Sequence, residues 1–228
     1  MFSKMSKTHH QQRSLRGVIH QSLGHASRPA VAYRQRRQQD EISSNFCAPE
    51  TWHEPQQRPT TKYVVQPAGE GYIHPVTIDE IRERLAALPE QIAQSVEVVQ
   101  LSAMTRKRRL FPLYGMQWGP NVYLYPIEQS LTETYVRPPK PDQIIEARMF
   151  GGQWSQEGRT WKLTWTRKTI RDFYLNNVLI HEVGHVIDTR NTNSRKREQY
   201  AIWFATEYGY RASRGRGTLP HHLIVHYR

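Results

Sequence analysis

Between residues 169 and 187 the apolar side chains leave almost no side of a helical axis free: Ile170, Phe173, Tyr174, Val178, Leu179, Ile180, Val183, Val186 and Ile187. A helix that is apolar all round belongs at the centre of a fold, so the rest of the chain must supply layers to cover it. Three polar residues, His181, Glu182 and His185, sit inside this stretch. Burying two imidazoles and a carboxylate without partners is costly, so the pattern demands something for them to bind.

The spacing says what that is. Residues four apart stand one above the other on a helix, so His181 and His185 can aim ring nitrogens at one metal ion. Glu182 lies about 100° further round the axis, placed to reach a water on the metal without being a ligand itself. Zinc lowers the pKa of such a water, and a neighbouring carboxylate can take its proton and pass it to a leaving group. With 11 His in 228 residues, random placement yields the His-Glu-x-x-His pattern roughly 0.03 times per chain. A site of this type needs a third protein ligand. Glu198 is the preferred one: Glu198, Ala201 and Ala205 share a helical face, and the small alanines let that helix approach the first. Asp188, on the same stripe as the histidines, is the runner-up, either as a ligand or as a group that orients a histidine or binds backbone. Glu207 falls on the opposite side of the second helix and is a poor candidate. Tyr200, Tyr208, Tyr210, His221, His222 and His226 could each support a developing oxyanion, and spacing selects none of them.

Upstream, Thr77 to Glu80 reads as a capping box opening a helix with Ile78, Ile81, Leu85 and Leu88 on one face, followed by a short helical stretch at 90–95. Residues 96–101 are rich in β-branched side chains and predict a buried strand. Segments 114–118 and 122–125 flank Gly119-Pro120-Asn121 and predict a hairpin. Segment 136–142 contains three prolines and is expected to be a loop. Strands are expected at 147–154 and 160–166, the second with Trp161, Leu163 and Trp165 alternating against polar residues. A second helix is expected from 192–194 to about 210.

Residues 1–75 hold few clustered aliphatics, and the first acidic residue is Asp40. The expected organisation is therefore a disordered basic tail (1–75), a compact domain (76–213) and a basic, His-containing C-terminal segment (214–228). The formal charge of +12 implies non-specific attraction to nucleic acid or another acidic surface through the tail. No recognition motif accompanies the charge, and no apolar run reaches membrane-spanning length. A single cysteine, Cys47, excludes an intramolecular disulfide and a Cys-based zinc site. The composition fits a cytoplasmic protein. The Arg-rich, acid-free start also resembles an organellar import signal, although a plain tail is the simpler reading.

His181-Glu182-x-x-His185 followed by Glu198-x-x-Ala201-x-x-Phe204-Ala205 resembles the gluzincin branch of the zincin metallopeptidases, and is most similar to their minimal single-domain members. The resemblance implies an α+β fold, with a zincin-like twisted mixed sheet packed on an active-site helix and a second, ligand-bearing helix. It also implies one Zn2+ ion held by His181, His185 and Glu198, Glu182 as general base, and a peptide or protein substrate paired along an edge strand. The thermolysin-like group has an acid four residues after the glutamate ligand, where this chain has Ile202, and the stretch between His185 and Glu198 is short. Peptide deformylases share the first motif but need a cysteine ligand. Two other functions fit the same residues: a DNA-associated peptidase of the SprT-like kind, and a non-catalytic zinc-binding interaction domain.

Overall fold

A computed structural model of the chain describes residues 48–56 and 60–216. Its centre is a four-stranded sheet with strand order β1-β3-β5-β4, built from β1 (Lys62–Val65), β3 (Val98–Leu101), β5 (Asn121–Leu124) and β4 (Gly115–Trp118). The first three strands run parallel, and β4 is antiparallel to β5 at one edge. The expected hairpin is present: Gly119 at φ 59° turns the chain between β4 and β5, a left-handed value that glycine adopts without strain. Strands β2 (Tyr72–Ile73) and β6 (Ile127–Glu128) form a small antiparallel pair. A third, antiparallel sheet has the order β7 (Thr132–Tyr135), β9 (Thr160–Thr164) and β8 (Gln153–Glu157).

Side-chain alternation gives the four-stranded sheet two different faces. Val99, Leu101, Val122 and Leu124 point into the main core with the helices. Met116, Tyr123 and Tyr125 point the other way, into a smaller aromatic cluster with Leu113 and Trp118. Helix α1 (Ile78–Ala86) starts at the expected capping box, with Thr77 N donating to Glu80 Oε2 at 2.8 Å and Glu80 N donating back to Thr77 Oγ1 at 3.3 Å. Short helices α2 (Glu90–Ala93) and α3 (Arg106–Leu110) follow.

The expected strand at 147–154 is corrected. Helix α4 (Pro141–Met149) takes its first three positions, a turn follows, and β8 begins only at Gln153. Pro141 at the helix start favours this, because its missing N–H is an orphan there anyway. Adjacent Ile144 and Ile145 give no helical stripe, so periodicity hid the helix. Gly151 at φ 82° lies between the two elements.

The central helical rod comprises α5 (Arg167–Phe173), a π-helical turn (Tyr174–Val178) and α6 (Leu179–Ile187). After a short connection, α7 (Ser194–Phe204) runs into a second π-helical stretch (Ala205–Arg211). The rods cross closely at two glycines. A Cβ on Gly184 would lie 3.1 Å from both Ala201 Cα and Phe204 Cβ, and one on Gly209 would lie 1.9 Å from the Asn176 carbonyl oxygen. Arg84 of α1 ties the two π-helical stretches together: Nε donates to Asn176 Oδ1 at 2.6 Å, and Nη2 donates to the Tyr208 carbonyl. Burial lowers the Arg84 pKa to about 10.

The described structure also begins earlier than residue 76, within the expected tail. Besides β1 and β2, residues 48–56 form a strap across the outer face of the four-stranded sheet. Glu50 pairs with buried Arg108 Nε at 2.8 Å and accepts from Tyr125 Oη at 3.0 Å. His53 donates through Nε2 to Gln100 Oε1 at 2.7 Å, stacks on Tyr123, and accepts at its carbonyl from Asn121 Nδ2 at 2.7 Å. Polar and aromatic anchors of this kind leave no apolar periodicity, which is why the segment reads as tail. Most of the expected tail (1–47) and most of the C-terminal segment lie outside the described residues. Among the described residues no helix is long and apolar enough to cross a membrane.

Candidate metal centre

Helix α6 carries His181 and His185, and α7 carries Glu198. All three are buried, at 3%, 4% and 9% exposure. The close approach at Gly184 brings the two helices near enough for the carboxylate to face both rings. His181 Nε2 and His185 Nε2 are 3.0 Å apart. Glu198 Oε1 is 3.7 Å from His181 Nε2, and Oε2 is 3.5 Å from His185 Nε2. Ligand atoms placed tetrahedrally at about 2.0–2.1 Å from one ion stand roughly 3.3 Å apart, so these separations fit a shared cation. Glu198 Oε1 is buried and takes no hydrogen bond, as an atom reserved for such an ion would. The group could hold a metal ion.

Glu182 is also buried, and its carboxylate faces strand β4. A Cβ on Gly115 would lie 3.0 Å from Glu182 Cγ, 3.1 Å from Oε1 and 2.8 Å from Val178 Cγ1. Any larger residue at 115 would push against Glu182, so glycine is what lets the sheet edge come this close. Sequence reading missed Gly115 as a site residue. A glycine inside a strand pattern does signal close backbone approach, but nothing in the sequence says to what.

Asp188 lies outside the cluster. It ends α6 at φ −79° and ψ 81°, and accepts from Asn191 N at 3.2 Å and Asn191 Nδ2 at 2.9 Å. Its carboxylate therefore shapes the connection between the two helices, the backbone-binding alternative considered from the sequence. Glu207 pairs with Arg211 at 2.7 Å. Tyr200 packs on Trp203, Phe204 and Arg190, Tyr208 packs on Trp203 and Phe204, and Tyr210 packs on Phe150 and Arg214. His221, His222 and His226 lie outside the described residues.

Sequence reading also missed Arg197. Its Nη2 donates to the His185 carbonyl at 3.1 Å and to Gln117 Oε1 at 3.3 Å, joining the end of α6, the start of α7 and strand β4. A cation at a helix C-terminus is favoured by the orphan carbonyls there. Arg108, from the basic run 106–109, is likewise internal, at 3% exposure. The basic runs 106–109 and 195–197 thus each contribute an arginine that bonds within the fold.

Another buried acid, Glu133, sits away from this cluster. Glu133 on β7 accepts at Oε2 from Tyr114 Oη at 2.5 Å and from Tyr135 Oη at 2.6 Å. Burial pushes its pKa up to about 7, against the opposing pull of the two tyrosine hydrogen bonds. The Tyr114 phenol is raised by its own burial and by the Glu133 charge.

Compared with family models, curated proteins and solved structures, the chain shows no match.

Proposed function

We propose that the chain is a zinc-dependent peptidase. The observation that carries this reading is the placement of His181, His185 and Glu198 as one buried donor set, with Glu182 turned toward the edge strand beside it. Two imidazoles and a carboxylate suit zinc, which is commonly held catalytically by three such ligands with one position left open. A zinc ion there would supply Lewis acidity to a carbonyl oxygen and make a bound water more acidic.

The chain's own residues do the rest. Glu182 accepts a proton from the attacking water and delivers it to the departing amine nitrogen as the C–N bond breaks. Strand β4 pairs with β5 on one side, and no described strand pairs with its other edge. An extended peptide added there would receive main-chain hydrogen bonds close to Glu182. A purely structural metal site would not require an acid at 182.

The test is metal content and cleavage of casein and a peptide panel, for the wild type and Glu182→Gln. Both proteins should carry one zinc per chain, with cleavage lowered about 10²- to 10⁴-fold by the substitution. Glu198→Ala should lose the zinc and Asp188→Ala should keep it. Zinc bound by a wild type that cleaves nothing on the panel would instead identify a non-catalytic zinc-binding domain.

A further inference from the structure

We infer that Arg197 is a positioning residue of the metal centre: its guanidinium braces the start of α7 against the end of α6 and so sets the separation of Glu198 from His185. This rests on the metal-binding part of the reading above and stands whether or not the chain hydrolyses peptides.

In an α-helix the carbonyl of each residue accepts from the N–H four residues on, and the last turn runs out of such donors. For His185 that donor would be Thr189, but α6 ends at Ile187 and Thr189 N donates to the Ile187 carbonyl at 3.0 Å. The His185 carbonyl accepts instead from Arg197 Nη2 at 3.1 Å. The residue just before one member of the donor set therefore caps the carbonyl of another. Gln117 of β4 keeps the guanidinium in place. Its Oε1 accepts from the same Nη2 at 3.3 Å, and its Nε2 donates to the Gly119 carbonyl at 2.6 Å, in the turn between β4 and β5.

The helix crossings do not supply this tie. The contacts at Gly184 fall on Ala201 and Phe204, and the next crossing is at Gly209, so both lie C-terminal to Glu198. Glu198 itself stands near the start of α7, where a helix lacks its full set of backbone bonds. Arg197 fastens this overhanging end back to α6. The fastening matters because Glu198 Oε2 stands 3.5 Å from His185 Nε2 and Oε1 stands 3.7 Å from His181 Nε2, whereas metal–ligand distances hold to within about 0.2 Å. Arg197 is not presented to a substrate, since its Nε is buried and its Nη2 is engaged within the fold. A cation near a divalent ion also repels it, so Arg197 aids binding through geometry and against its own charge.

The experiment measures the zinc affinity of the full chain, by competition with a chromophoric chelator, for the wild type, Arg197→Met, Arg197→Gln, Arg197→Lys and Glu50→Gln. Arg197→Met keeps the stem and loses both hydrogen bonds, and should weaken zinc binding about 10- to 100-fold. Arg197→Gln, too short to reach the His185 carbonyl, should match it and gives a second, independent substitution. Because one nitrogen makes both bonds, an ammonium can replace it, and Arg197→Lys should recover most of the loss. Glu50→Gln, on the outer face of the sheet, is the control for stability alone and should bind zinc as the wild type does. The visible absorption of the Co2+-loaded chain reads ligand geometry, and should change in Arg197→Met but not in Glu50→Gln. Unchanged or tighter zinc binding in the Arg197→Met and Arg197→Gln chains, or a loss that Glu50→Gln equals, would overturn the brace and leave the metal centre intact. A wild type that binds no zinc would remove the metal centre and the brace with it.

Discussion

Glu133 is a buried acid whose protonation ties the stability of the fold to pH. In the folded chain it keeps its proton up to about pH 7, whereas its ordinary value is 4.5. Between these values the folded state binds more protons than the unfolded state, so stability falls as pH rises through this window and is flat beyond it. The shift corresponds to about 3 kcal/mol. Glu133→Gln keeps an acceptor for both tyrosines and removes the charge, so its melting temperature should stay level from pH 4.5 to 7 where the wild type declines. Parallel declines in both proteins would show that another group governs the transition. At this scale the residues that could hold a metal were legible, because helical spacing converts directly into position: His181 and His185 from the four-residue interval, Glu198 from the alanines on its face. Gly115, Arg197 and the tyrosine partners of Glu133 were not, because their roles depend on which strands and helices meet.

The helices are held at their crossings by the absence of side chains. Gly209 leaves no room for a methyl group against Asn176, so Gly209→Ala must move backbone and should cost about 3 kcal/mol or more in denaturant unfolding. Gly184→Ala meets its neighbours at 3.1 Å and should cost about 1–3 kcal/mol. Equal, small losses for both would contradict the packing at Gly209. Long elements with strong patterns were readable from sequence: the capped helix at 77, the hairpin around Gly119 and the two site helices. Strands of two to four residues, such as β1, β2, β6 and β7, span too few positions to show a period. The π-helical turn at Tyr174–Val178 was equally invisible, since an extra residue per turn leaves no mark inside the mostly apolar central rod.

Across the whole molecule, the strap makes the N-terminal part of the described chain integral to the sheet. Arg108 is 3% exposed and paired with Glu50, so removing its partner leaves a buried, uncompensated cation. Glu50→Gln should therefore destabilise the protein by about 3 kcal/mol, read as a lower denaturant midpoint with unchanged m-value. An unshifted midpoint would mean that the pair is replaced by solvent at no cost. The basic composition, legible at once, said little about architecture, because charge on a surface does not specify a fold. The partners of His53 and Glu50 lie 47 to 75 residues further along the chain, in strands that must already be side by side to receive them. Closing so long a loop is rewarded only after the sheet exists, whereas the two helices that carry His181, His185 and Glu198 are neighbours in sequence. Loop-closure entropy therefore favours an assembly in which the rods and the hairpin come together first and the strap is the clasp that closes last.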